Sequence, residues 1–129
     1  MPRSRILVTL LLLLAPLTLH PLHGQATPPI DHAKRVFELL RQDKFDEVAT
    51  EFNAQMAAAI TAAQLKEGWV SLQQQVGAFQ SFIEERAATA GPGIHGVLLG
   101  CQFEKAAVNF SVTFDADNKI GGMRLSPRP

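Results

Sequence analysis

The chain predicts an α+β domain, and three observations carry that reading. Apolar residues recur at helical spacing up to about Gly77, they alternate with period two beyond it, and short turn sequences join the alternating segments. Links this short cannot hold crossover helices, so the sheet is expected to be a four-stranded antiparallel meander with about three helices on one face.

The N-terminal segment stands apart from that domain. Met1–Arg5 carries two arginines, and Ile6–Leu19 is almost wholly apolar, with six leucines between Leu10 and Leu17. Gly24 and Ala26 then place small residues at the third-last and last positions of a secretory leader. Cleavage is expected after Ala26, leaving residues 27–129 as one domain exported to the periplasm or beyond. A membrane-spanning helix needs roughly 20 apolar residues; this run is shorter and is interrupted by Pro16 and Pro21, so membrane contact is expected only through the uncleaved leader. No cysteine lies near the cut, which argues against a lipid-modified terminus.

Three helices follow. Ala33, Val36, Phe37 and Leu40 fall at i, i+3, i+4 and i+7, with Asp31 placed to cap and His32 ahead of the helix. Phe45, Val48, Ala49 and Phe52 repeat the pattern. Leu65, Gly68, Trp69, Leu72 and Val76 give the third, and Thr61 with Gln64 has the capping-box form before it. Ala57–Ile60 reads as a short helical or turn segment leading to that cap.

Four strands complete the domain. Val97, Leu99, Cys101 and Phe103 alternate with Leu98, Gly100 and Gln102, and Val108, Phe110, Val112 and Phe114 alternate with Asn109, Ser111 and Thr113. Phe79–Thr89 and Lys119–Leu125 flank them. Ala90–Gly93, Glu104–Ala106 and Asp115–Lys119 supply the turns, with Asn118 suited to the left-handed conformation.

Charge and cysteine content exclude several functions. Without Arg3 and Arg5 the expected mature chain has 10 basic and 12 acidic residues, a formal charge of −2, and no basic face for nucleic acid. Cys101 is the single cysteine, so no intramolecular disulfide forms and the domain depends on its core.

The motifs that resemble chemistry fail on physical grounds. Gly91-Pro92-Gly93-Ile94-His95-Gly96 has the glycine spacing of a dinucleotide-binding turn, yet a strand follows where that site needs a helix N-terminus. Asp115, Asp117, Asn118 and Gly121 suggest a calcium loop, but Lys119, Ile120 and Ser126 occupy its fifth, sixth and twelfth places. Cys101 and His95 share a strand face but stand about 20 Å apart along it, beyond proton-transfer reach. Glu84 and Glu85 point to opposite faces as strand neighbours. Asn109-Phe110-Ser111 is a glycosylation sequon inside a strand, where an acceptor is poorly placed. The histidines and acids lack the clustered spacing of a zinc site. No catalytic residue, metal or cofactor is therefore assigned. Trp69, in line with Leu65 and Leu72, and Cys101, in line with Leu99 and Phe103, are expected in the core. If the helix–sheet interface holds a pocket, its lining is expected from Trp69, Phe79, Cys101, Phe103 and Phe110, an apolar wall of the kind small ligands use.

The order of these features resembles a bacterial family, domain of unknown function 3887. The resemblance runs through Ala33-x-x-Val36-Phe37-x-Leu39-Leu40, Asp43-Lys44-Phe45-Asp46, Phe52-x-x-x-Met56, Leu65-x-x-x-Trp69 and Gly77-x-Phe79. It continues in Cys101-x-Phe103-Glu104-Lys105 and in the strand ending Phe114-Asp115-Ala116-Asp117-Asn118-Lys119-Ile120-Gly121-Gly122. It implies a cystatin-like, nuclear-transport-factor-2-like fold with helices against a curved sheet. Family members occur alone behind leaders or ahead of an α/β-hydrolase domain. No nucleophile-elbow sequence is present here, so hydrolase activity does not carry over, and the family offers no catalytic motif to transfer.

The expectation is an exported, non-catalytic domain that binds a small ligand or a protein partner, with a homodimer through the open sheet as one form of assembly. The alternative, implied by the superfamily, is a small lyase, isomerase or hydrolase using a cavity histidine or carboxylate. A concave pocket with two convergent titratable groups would favour it.

Overall fold

The computed structural model describes residues 28–129; the expected leader, 1–26, lies outside the described residues. Four helices precede four strands: α1 (Pro28–Arg41), α2 (Phe45–Thr50), α3 (Ala54–Ala59), α4 (Ala62–Val76), β1 (Phe79–Gly91), β2 (Ile94–Phe103), β3 (Ala107–Phe114) and β4 (Ile120–Pro127). The strands pair in sequence order, all antiparallel, as one α+β sheet.

α1 begins earlier than its apolar period suggests. Proline is tolerated in a first helical turn because its φ is already helical and its missing N–H has no partner to lose there. Asp31 therefore sits inside the first turn rather than at the cap, and His32 lies within the helix rather than before it. α1 ends where Asp43 adopts φ 60°, with Asp43 and Lys44 donating backbone N–H groups to Leu40 and Leu39. The segment before the last helix is itself helical. The Asn53 side chain accepts the Met56 N–H at 2.8 Å and starts α3, which raises the helix count to four. Thr61 and Gln64 close their capping box on α4, and Gly77 ends it at φ 80°, a conformation that glycine takes without a Cβ clash.

All four helices lie on one side of the sheet. Val36, Phe37 and Leu40 of α1, Leu65 and Trp69 of α4, and the inward stripes of β2 and β3 form a single apolar core. β3 alternates buried and half-buried residues along its whole length, so period two decided its facing correctly. Phe37 is the centre of this core, with ring centroids of Trp69, Phe79, Phe82, Phe103 and Phe110 between 5.0 and 6.4 Å away. On the other face, Arg128 folds back across Gly100. A Cβ at Gly100 would meet the Arg128 guanidinium, so glycine leaves room for that side chain to reach Glu84 and Asn109.

A short parallel bridge between Phe52 and Ile120 ties the α2–α3 link to the start of β4. Ile120 donates its N–H to the Glu51 carbonyl, and Asn53 donates its own to the Ile120 carbonyl. This seam fixes the helical layer against the β3–β4 hairpin and supports the candidate site described next.

Candidate functional site

α1 presents Pro28, Asp31, His32 and Arg35 at helical spacing on one face, over the inner face of the sheet. There His95, the second residue of β2, is the cross-strand partner of Phe114, the last residue of β3. The β3–β4 turn follows, with Asn118 at φ 59°. Together these residues line a cavity of about 710 Å³, a size typical of small-molecule sites.

His32 is held from two sides in this wall. Its ring stacks on Phe114 with centroids 4.1 Å apart and an interplanar angle of 12°. Its Nε2 lies 2.6 Å from Glu51 Oε1, with the two side chains only 15% and 29% exposed. A carboxylate accepts but does not donate, so Nε2 is the donor in this contact. Glu51 is in turn held by the seam, since its carbonyl accepts from Ile120 at 2.7 Å.

Asp115 fixes the turn that bears Asn118. Its carboxylate accepts the backbone N–H groups of Lys119 and Asp117 at 2.9 Å each, and Asn53 donates its side-chain N–H to it at 3.2 Å. The Lys119 N–H foremost, then Asn53 and Asp117, hold this carboxyl below the usual range. Asp115, the first residue of the segment that suggested a calcium loop, thus spends its oxygens on a tight turn. Among the described residues no three His, Cys, Asp or Glu side chains converge to hold a metal ion.

The residues expected to line an interface pocket are placed differently from one another. Trp69, 2% exposed, contributes to a groove of about 370 Å³ between α3, α4 and β4, with Met56, Ile60, Leu72 and Met123. Phe79, Phe103 and Phe110 pack around Phe37. Cys101 is fully buried on the same face, its thiol donating to the Leu99 carbonyl at 3.5 Å, and burial pushes that thiol up to about 12. None of these last four lines the His32–His95 cavity.

Glu84 and Glu85 do part to opposite faces. Glu85 pairs with Lys34 of α1, while Glu84 lies between Arg86 and Arg128 on the outer face, where hydrogen bonds from Arg128 foremost hold it below the usual carboxylate range. Asn109 of the sequon accepts from Arg128 at 3.0 Å and is occupied. The Gly91–Gly96 segment is a hairpin: Pro92 and Gly93 turn β1 into β2, and no helix starts there.

Sequence reasoning missed the cavity because its parts come from four separate segments. One signal was available. His95 has the inward parity of Val97 and Leu99, and His32 lies four residues before Val36 on the buried stripe of α1 once the helix is begun at Pro28.

A family model described as a protein of unknown function matches residues 33–123. No curated protein and no solved structure matches the chain.

Proposed function

The chain belongs to the family Protein of unknown function (DUF3887), and from that premise we propose that it is an exported, non-catalytic binding domain that holds a small polar ligand in the cavity beside the first turns of α1. The convergence of α1, β2, β3 and the β3–β4 turn on one cavity of about 710 Å³ carries this reading. The helix–sheet interior argues against an apolar ligand held there, because six aromatic rings already fill it. The cavity offers polar partners instead: the Arg35 fork, the Asp31 carboxylate, the His95 ring and the Asn118 amide.

A thermal-stabilisation screen of small polar compounds tests the reading. Hits should raise the unfolding temperature of the parent chain and lose that effect in His95→Ala. Hits that stabilise His95→Ala equally would place the site elsewhere. Export is tested by N-terminal sequencing of the protein recovered from the periplasm of a bacterial host. A start at Thr27 is expected, and an intact Met1 would refute it.

The His32–Glu51 contact favours a second reading, acid–base chemistry on the bound compound. A carboxylate behind an imidazole orients the ring and leaves its other nitrogen free to face a bound compound, the arrangement of many histidine bases. Exchange of a bound compound's carbon-bound protons with D₂O, seen by NMR and abolished in His32→Gln, would establish this reading. A compound that binds without exchange supports pure binding.

A further inference from the structure

We propose that the cavity takes a small zwitterion, of which an aliphatic α-amino acid is the simplest kind; this rests on the binding reading above and names the ligand class of the same site. Two cavity residues carry fixed opposite charges. Asp31 and Arg35 stand four residues apart on α1, so they share one helix face with Cβ atoms about 5–6 Å apart. Both are exposed, and neither enters an ion pair within 4.0 Å among the described residues. The other charged residues on that surface are engaged elsewhere: Glu51 by His32, Lys34 by Glu85 and Glu38 by Arg41.

Those placements decide between ligand classes. A plain anion would gain from Arg35 but meet Asp31 at a similar distance, and a plain cation would suffer the reverse. A molecule with a carboxylate and an ammonium on neighbouring atoms gains at both ends. Its carboxylate takes the bidentate guanidinium fork, and its ammonium donates to the Asp31 carboxylate. His95 and Asn118 line the same cavity and add hydrogen-bonding groups for either end. An aliphatic side chain finds apolar surface on Pro28 and Pro29 at the rim.

The test compares L-leucine with N-acetyl-L-leucine, which lacks the ammonium, and L-leucinamide, which lacks the carboxylate. Binding to the purified chain is followed by calorimetry and by the NMR shifts of the His32 and His95 rings. L-Leucine should bind and shift those rings, and each blocked form should bind at least about tenfold more weakly. Arg35→Gln should lose L-leucine, and Asp31→Asn should abolish the preference for L-leucine over its N-acetyl form. Both substitutions are at exposed positions, and parent-like unfolding temperatures are expected and are measured alongside. Equal binding of N-acetyl-L-leucine to the parent chain would overturn the proposal in favour of a plain anion site. Failure of L-leucine while neutral compounds shift the same rings would overturn the ligand class and leave the binding reading intact. Silence of both rings toward every compound would end both.

Discussion

Cys101 allows the closed core to be measured directly. Its thiol is fully buried on the inner face of β2, and burial raises it from 9.0 to about 12. The thiolate is the nucleophile that attacks a disulfide reagent, so at about pH 8 this rise lowers the reactive fraction on the order of a thousandfold. Reaction through opening is slowed as well: for a domain stable by about 5 kcal/mol, the open fraction is on the order of 10⁻⁴. By either route the native chain should react at least about 10³ times more slowly than the urea-unfolded chain. The assay is the absorbance change with a disulfide reagent across a urea series, where the rate should climb in proportion to unfolding. A native rate within about tenfold of the unfolded one would refute the placement of Cys101 in the core. The same shift has a definite sign in pH. Between 9.0 and about 12 the folded chain keeps a proton that the unfolded chain has lost, so this group's contribution is complete below 9.0 and declines as pH rises toward 12.

Three further outcomes are expected. Phe37→Leu removes the ring on which five aromatic neighbours converge and should cost about 1.5–3 kcal/mol, with Phe37→Ala at about 3–5, read by urea unfolding through the fluorescence of Trp69, the single tryptophan; a loss under about 0.5 kcal/mol for the alanine variant would contradict the packing. Asn53→Ala loses the α3 cap and the contact with Asp115 and should cost about 1–2 kcal/mol. Asn53→Asp keeps the cap but faces one carboxylate with another, so parent-like stability in that variant would show that the amide contact contributes nothing. Asp115 is held below its ordinary 3.8 in the fold, so its contribution is present above that pH and is lost as pH falls through the lower folded value. Asp115→Asn should therefore flatten part of the acid limb of the stability curve, and an unchanged limb would count against the turn network.

Much of the fold was legible because periodicity reports which side of an element is buried. β3 is the plainest case: Val108, Phe110, Val112 and Phe114 alternate in the chain and all four face the helices. The Thr61–Gln64 capping box and the left-handed Asn118 were equally readable, since both depend on residues close in sequence. The start of α1 was not, because the apolar period begins at Ala33 while the prolines before it carry no period at all. That shift moved His32 from an approach segment into the helix, half-buried beside Phe114, and with it one wall of the cavity.

The sequence alone thus determined the α+β class, the order of elements, the inward face of each central strand and the burial of Cys101. These are local properties, set by side-chain period, caps and turn residues. Only the tertiary structure decided that His32 meets Glu51 nineteen residues on, that His95 stands beside Phe114, and that Asn53 reaches Asp115 across the molecule. The physical reason is that strand register and helix docking bring together groups whose sequence separation leaves no local trace. The candidate site is made of such meetings, whereas which residues enter the core follows from the period of each element on its own.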